Sequence, residues 1–441
     1  RRHVGPSGVH APGRTPGAGG RRPAPNSCPM RVAARAKAKP AVPLEYNLLL
    51  TATLCLLAFG AVMVYSASSA RTLLEGNGDG TAFLVKYVTY GTLGLIGMHI
   101  VARQRLETVV RFTGPLLAFA FVCLLLVKIP GIGVSINGAR RWLGAGPLQF
   151  QPSEVAKLAL VLYSAKLLAQ KPGRVKTPRS VTPLLLVAGT AVLLVASQPD
   201  LGTALVMTFT VSALLVAAGL PVRFLGMGAA GASALIMIYA LSADYRRARL
   251  MTFLDPWDHA GDAGFQAVQG QIALGSGGLF GRGIGQSVQK IFYLPEAHTD
   301  FILAIIGEEL GVVGIFGVLF LYGLVAYAGL RVAKRATGAY AKLLAAGVTS
   351  LILCQGCLNL FAVLGLVPLT GVPLPFISYG STNLTVLLGG MGLLLNVARG
   401  GRANLRVVTG SRRDGADDRH RSGRNGGARG ARAGSRRRAA I

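Results

Sequence analysis

The chain has 441 residues, of which 51% are hydrophobic and only 14% charged, with a mean hydropathy of +0.50 and a formal net charge of +29. Soluble domains carry charge on about a quarter of their residues, so this composition excludes an ordinary soluble globular protein and points to a membrane.

Apolar runs of about 20 residues, each long enough to cross a hydrocarbon core, recur along the sequence. They fall at 46–66, 82–102, 111–128, 153–170, 181–198, 201–219, 221–242, 301–330, 340–366 and 378–398. Charge orients them. With both termini inside, the inner segments hold 35 of the 46 Lys and Arg residues, the asymmetry that the positive-inside rule requires. The expected fold is therefore an all-α integral membrane protein. It has ten transmembrane helices, both termini cytoplasmic, and a large extracytoplasmic loop between spans 7 and 8. The expected domains are a basic tail at 1–44, a polytopic membrane domain at 45–400 and a second basic tail at 401–441. Arg, Gly, Ala, Pro and Ser dominate the tails, so they are expected to be disordered. Attraction to anionic inner-leaflet lipid, or simply a solvated tail, would explain their charge, and no nucleic-acid partner is expected. No cleavable signal pattern precedes the first span, which would itself direct insertion.

On the outer face, Lys86 stands a few residues into the second span, where a lysine can also snorkel to the headgroups. The next outer segment reads G-A-R-R-W-L (138–143) and then Q-F-Q-P-S-E-V-A-K (149–157). Pro152 suits a first helical position, and Glu154 and Lys157, three apart, share one helix face. With Arg140 and Arg141 they form a cationic cluster able to hold a phosphorylated lipid. A plain helix-start ion pair is an equal reading of Glu154 and Lys157, and Trp142 also fits an interfacial belt. Asp200, in a tight turn, is placed to cap the sixth span.

The long outer loop, 243–299, carries F-Q-A-V-Q-G-Q-I at helical spacing from Phe265, then five glycines between Gly277 and Gly285. It ends in Q-K-I-F-Y-L-P-E-A-H-T-D (289–300), which crowds Lys290, Glu296, His298 and Asp300 against a membrane edge. Glu308 and Glu309 follow within the eighth span. Ionisable groups at membrane depth are expensive and mark function. The last outer turn, 367–383, holds three prolines and two glycines; backbone so irregular needs protein or a water-filled cavity around it. Cys354 and Cys357 form a C-x-x-C inside a span without a second pair, and are read as apolar packing.

These motifs, in this order, carry a resemblance. G-A-R-R-W-L with Q-P-S-E-x-x-K, Q-P-D-L-G-T, G-F-Q-x-x-Q, Q-K-x-x-Y-L-P-E-A-H-T-D-F-I, G-E-E-x-G and P-x-T-G-V-P-L-P-F-I-S-Y-G together resemble the FtsW/RodA/SpoVE (SEDS) family over residues 45–400. The wording L-P-E-A-H-T-D-F-I is more similar to the division branch, FtsW, than to the elongation branch, RodA. Two positions depart from the family: Ser381 where a glycine is usual, and Gly270 where a serine is common.

The resemblance implies a peptidoglycan glycosyltransferase polymerising lipid II on the outer face of a bacterial cytoplasmic membrane, at the septum during cell division. Asp300 matches the essential aspartate and would be the catalytic base. A leaving diphosphate needs positive charge, for which Lys86, Arg140, Arg141, Lys157 and Lys290, or a divalent cation such as Mg or Mn, are the candidates. Trp142, Gln151, Glu154, Gln266, Glu308 and Ser378, in the same motifs, complete the expected substrate-binding set. The implied partners are lipid II, a class B penicillin-binding transpeptidase and other division proteins. An elongation polymerase, a lipid II flippase and a non-catalytic scaffold remain as alternatives. A flippase should show ionisable groups through the whole depth, whereas here they crowd the outer third. A scaffold would not need Asp300.

Overall fold

The computed structural model describes residues 43–74, 80–136, 139–145, 148–170, 178–228, 230–231, 252–261, 264–291 and 293–401. All but residues 43, 44 and 401 of the two predicted tails, and most of the predicted span 221–242, lie outside the described residues.

Among the described residues ten α-helices dominate: α1 (Leu44–Leu74), α2 (Ala82–Val101), α3 (Leu106–Leu126), α4 (Pro152–Ala169), α5 (Thr182–Ala196), α6 (Leu201–Ala217), α7 (Phe265–Gly277), α8 (Ile302–Arg335), α9 (Ala339–Val363) and α10 (Ser381–Ala398). Among the described residues seven helices are long and apolar enough to cross a membrane: α1, α2, α3, α5 with its leading 3-10 turn, α8, α9 and α10. In α4, Glu154, Lys157 and Lys166 dilute the apolar character that its length would allow, and α6 is short. The centre of the bundle is α9, whose Leu344, Ala345, Leu351, Ile352 and Gln355 are fully buried, while α1, α2, α3 and α8 turn large apolar side chains outward as lipid-facing helices do.

The expectation of an all-helical fold is corrected in the second outer segment. There β1 (Gly133–Ile136), β2 (Ala139–Ala145) and β3 (Leu148–Phe150) form a small antiparallel sheet in the order β1-β2-β3. Val134 opposes Trp142 and Leu143 opposes Phe150. Glycines and β-branched residues over this stretch disfavour a helix, and the helix begins only at Pro152, its first residue.

The eighth span is not one straight helix. Gly311 has φ +66° and ψ −160°, a region essentially restricted to glycine. A Cβ placed on Gly314 would lie 3.3 Å from Ile306 Cγ2, and one on Gly307 3.3 Å from Ile315 Cδ1. Residues eight apart in a straight helix are separated by about 12 Å along the axis, so the chain folds back at Gly311. Leu303 accordingly meets Val318 and Leu319 around one small apolar gap. The break leaves helix-end N–H and C=O groups without intrahelical partners, and the glycine loop satisfies them. Val312 N and Val313 N donate to Gly278 O and Leu279 O at 3.0 and 3.2 Å, while Arg282 N and Gly283 N donate to Glu308 O and Glu309 O at 3.0 and 2.9 Å.

The loop between α9 and α10 is held from two helices. Tyr87 of α2 donates to Phe376 O at 2.5 Å and Tyr322 of α8 donates to Pro375 O. Phe376 is fully buried with φ +64°, and its carbonyl faces the Tyr87 hydroxyl in that left-handed conformation.

Candidate active site

Two cavities open at one end of the bundle and share a wall. The first, of about 490 Å³, is lined by α2, β2, the 296–300 turn and the 371–383 stretch. The second, of about 820 Å³, is lined by Arg141, Gln266, Gln271 and Trp257 together with apolar residues such as Leu201 and Val363. Glu296, Asp300 and Gly371 face both.

Asp300 stands just before α8. Its carboxyl approaches Gly371, where an added Cβ would be 3.9 Å from Oδ2; Gly371 has φ +65°, so a bare backbone is what this wall requires. The Thr299 hydroxyl lies 3.1 Å from Asp300 Oδ1, 3.2 Å from Glu296 Oε2 and 2.9 Å from Glu296 O. One hydroxyl proton serves one acceptor at a time, so the two carboxylates compete for it. Burial pushes the Asp300 carboxyl up to about 6; backbone N–H groups and the Thr299 hydroxyl pull it down, and the Glu296 charge pushes it further up. A carboxyl with that value is ionised at neutral pH yet basic enough to accept a proton. Glu296 itself has φ +55°, an uncommon backbone for a side-chain-bearing residue that clusters at functional sites.

Of the residues expected from sequence, Lys86, Trp142, Gln151 and Asp300 line the first cavity. Arg141 and Gln266 line the second together with Asp300. Lys86 stacks its ammonium 5.6 Å from the Phe83 ring and, among the described residues, makes no ion pair. Arg141 donates to Gln198 O at 3.1 Å and to Pro199 O, with Asp200 at 3.9 Å. Asp200 caps α6 by accepting from Thr203 N and also accepts from Gln151 Nε2 at 3.1 Å. Gln266 Nε2 donates to Pro295 O at 3.3 Å.

The others stand apart from both cavities. Arg140 is exposed on β2. Lys157 is buried, paired with Glu154 at 2.9 Å and donating to Gln355 Oε1 at 2.7 Å. Lys290 is buried against Glu309 at 2.9 Å and Ser66 at 3.2 Å. Glu308 accepts from Ser287 Oγ at 2.5 Å and Val288 N at 3.0 Å, fastening the glycine loop. Ser378 Oγ is buried and accepts from Leu374 N at 2.8 Å. These five side chains are engaged with protein.

Sequence reasoning passed over several residues that the site assembles. Phe83 and Tyr379 join His298, noted from sequence only as an ionisable group at the membrane edge, in an aromatic cluster on the first cavity, with ring centroids 4.3 to 5.7 Å apart; nothing in their spacing announced it. Asn359 Nδ2 donates to Asp300 O at 2.7 Å and Val372 O at 2.8 Å. A signal existed for that one: Gln355 and Asn359 are two amides one turn apart on an apolar helix. The family departure at Gly270 has a local reason, since a Cβ there would sit 2.6 Å from the Phe301 ring.

A bundle of apolar helices with a carboxylate in the wall between two chambers defines a multi-pass membrane protein with a candidate site at one end of the bundle. The chain belongs to the FtsW/RodA/SpoVE family, whose model, described as "Cell cycle protein", matches residues 46–403. It is similar to stage V sporulation protein E of Bacillus subtilis (strain 168), with 40% identity over 354 residues covering 80% of this chain and 96% of the relative. It is similar as well to a probable peptidoglycan glycosyltransferase FtsW of Geobacter sp. (strain M18), with 40% identity over 342 residues, 77% of this chain and 93% of that one. Among solved structures, a chain from a peptidoglycan synthase complex, described as coordinating polymerization and crosslinking, superposes with a TM-score of 0.67 at 30% identity, covering 80% and 96% of the two chains. The rod shape determining protein RodA of Thermus thermophilus superposes at 0.59 and 30% identity, covering 81% and 97%.

Proposed function

We propose that the chain is a peptidoglycan glycosyltransferase that polymerises lipid II, with Asp300 as its base. The observation that carries this reading is the position of Asp300 in a wall common to two cavities. A sugar 4-hydroxyl entering from one chamber would lose its proton to the carboxylate. Its oxygen would then attack the anomeric carbon of a donor in the other, as the bond to the diphosphate breaks with its electron pair. A diphosphate needs positive charge: Lys86 would supply it in the first chamber and Arg141 in the second. The relatives' names support the activity class.

Glu296, on the same wall, would be the carboxylate to hold a divalent cation and leave Asp300 free as base: magnesium keeps several waters and takes one or two carboxylates with substrate phosphates. When bound there, it would supply charge to the departing diphosphate. The same reading places residues 45–400 in the membrane as ten spans with basic cytoplasmic tails at 1–44 and 401–441. It assigns the chain to the septum, beside a class B penicillin-binding transpeptidase and other division proteins; the coupled polymerization and crosslinking named for the similar complex supports such a partner.

The test is polymerisation of fluorescent lipid II by the purified full chain with its partner. Wild type is expected to make glycan strands and Asp300→Ala to make almost none. Undiminished synthesis by the variant would sink the base assignment; none by wild type would sink the enzyme reading. Depletion and microscopy address the septal role, filaments without septa being the expected result and rounded cells the opposing one.

A further inference from the structure

Asn359 lies one turn from the outer end of α9 and is almost fully buried, at 1% exposure. Its amide nitrogen is shared between Asp300 O at 2.7 Å and Val372 O at 2.8 Å. Both neighbours are carbonyl oxygens, which only accept, so the NH2 and not the oxygen must face them. Both amide protons are thereby used, and Oδ1 is turned away, buried without a hydrogen-bond partner. An unsatisfied buried oxygen costs stability, so the side chain is held for its two donors at some expense to the fold.

Those two acceptors belong to the two strips of chain that meet at the reactive wall. Asp300 carries the carboxylate, and Val372 follows Gly371, the bare backbone it faces. One turn earlier, Gln355 performs a parallel task. It donates to Pro373 O and Asn383 Oδ1, each at 2.9 Å, and accepts from buried Lys157. Helix α9 thus presents two amides on one face. The deeper one fixes the 373–383 stretch to the bundle; the outer one ties that stretch to the Asp300 turn.

We infer that Asn359 is a positioning residue for the transfer reaction: by tying Asp300 to Val372 through one amide it sets the carboxylate's place in the wall between the chambers. It touches neither cavity, so it acts through Asp300 and not on substrate. The inference rests on the reading of Asp300 as base. Misplacing a catalytic group by about 1 Å is enough to cost on the order of 100-fold in rate.

The experiment compares Asn359→Leu, Asn359→Gln and Asp300→Asn in the full chain with its partner, using fluorescent lipid II in liposomes. Folding is followed by thermal unfolding. Asn359→Leu removes both donors at similar volume; its kcat is expected to fall about 100-fold while KM stays within about threefold and the protein melts cooperatively. Asn359→Gln keeps the donors and is expected to recover to within about tenfold of wild type. A kcat for Asn359→Leu within threefold of wild type overturns the inference. So does a loss that tracks the fraction of unfolded protein, with Gln no better than Leu. Should Asn359→Leu not fold, the Gln variant decides alone: donors without recovered kcat overturn the inference. Full activity in Asp300→Asn would instead remove the base itself. A dead Asp300→Asn beside an unaffected Asn359→Leu would remove only the positioning role.

Discussion

Replacing Gly311 by alanine tests the fold-back on which the site depends. The residue sits at φ +66° and ψ −160°, and forcing a side-chain-bearing residue there costs about 1–3 kcal/mol. The new methyl would also meet Leu279 O at 2.5 Å, so the glycine loop must move. Four backbone hydrogen bonds of 2.9 to 3.2 Å bind that loop to the two broken helix ends. Losing two of them adds about 0.5–1.5 kcal/mol each, for a total of roughly 2–6 kcal/mol. Gly317 is the matched control, in the same helix with nothing within 4 Å of an added Cβ; alanine there should stabilise by about 1 kcal/mol. Thermal unfolding in detergent, followed by the fluorescence of Trp142 and Trp257, separates the two. Polymerisation should fall in the Gly311 variant as well, since the displaced arm begins at Ile302, two residues beyond Asp300. A Gly311→Ala protein melting with or above the Gly317→Ala protein would refute the fold-back.

Because burial lifts the Asp300 carboxyl to about 6 from an ordinary 3.8, the folded state disfavours its ionised form. Wild-type stability from this group is fully present below about pH 4 and is lost as pH rises through 6. Asp300→Asn should therefore be more stable than wild type at pH 7–8 by up to about 3 kcal/mol, with the gap closing near pH 4; equal stability at both pH values would count against the shift. On the proposed role of Asp300 the group must be ionised to accept a proton, so kcat should fall about tenfold between pH 7 and pH 5, read from initial rates of strand synthesis. Lys157→Met would strand a buried Glu154 carboxylate, a change expected to cost about 3–5 kcal/mol; pairing it with Glu154→Gln should restore most of the melting temperature. Lys86→Ala, altering an exposed side chain on the cavity wall, should leave the melting temperature unchanged while raising KM for lipid II severalfold.

Much of the helical frame was legible because apolar length is a strong signal. Predicted spans at 82–102, 201–219 and 340–366 meet helices at Ala82–Val101, Leu201–Ala217 and Ala339–Val363. The reversal at Gly311 was not legible: G-E-E-L-G-V-V reads as unbroken hydrophobic helix, and only a φ outside the reach of other residues reveals the turn. The acids Glu308 and Glu309 drew notice as charges at membrane depth, yet hydropathy carried no hint that they serve the glycine loop and Lys290. The sheet at 133–150 escaped because its strands are three to seven residues long, too short for alternation to register. At the site, Lys86, Trp142, Gln151 and Asp300 were readable as residues, whereas the sharing of Glu296 between two chambers depends on how distant segments meet.

That shared wall has a pharmacological consequence. A compound filling either chamber comes against the same carboxylate, and the two linings otherwise have few residues in common. Substitutions that exclude an occupant of the aromatic, Lys86-bearing chamber would leave the chamber of Leu201 and Trp257 unaltered. On the proposed role of Asp300, two chemically dissimilar inhibitors, one per chamber, would thus converge on the wall of Glu296 and Asp300 while sharing few routes to resistance.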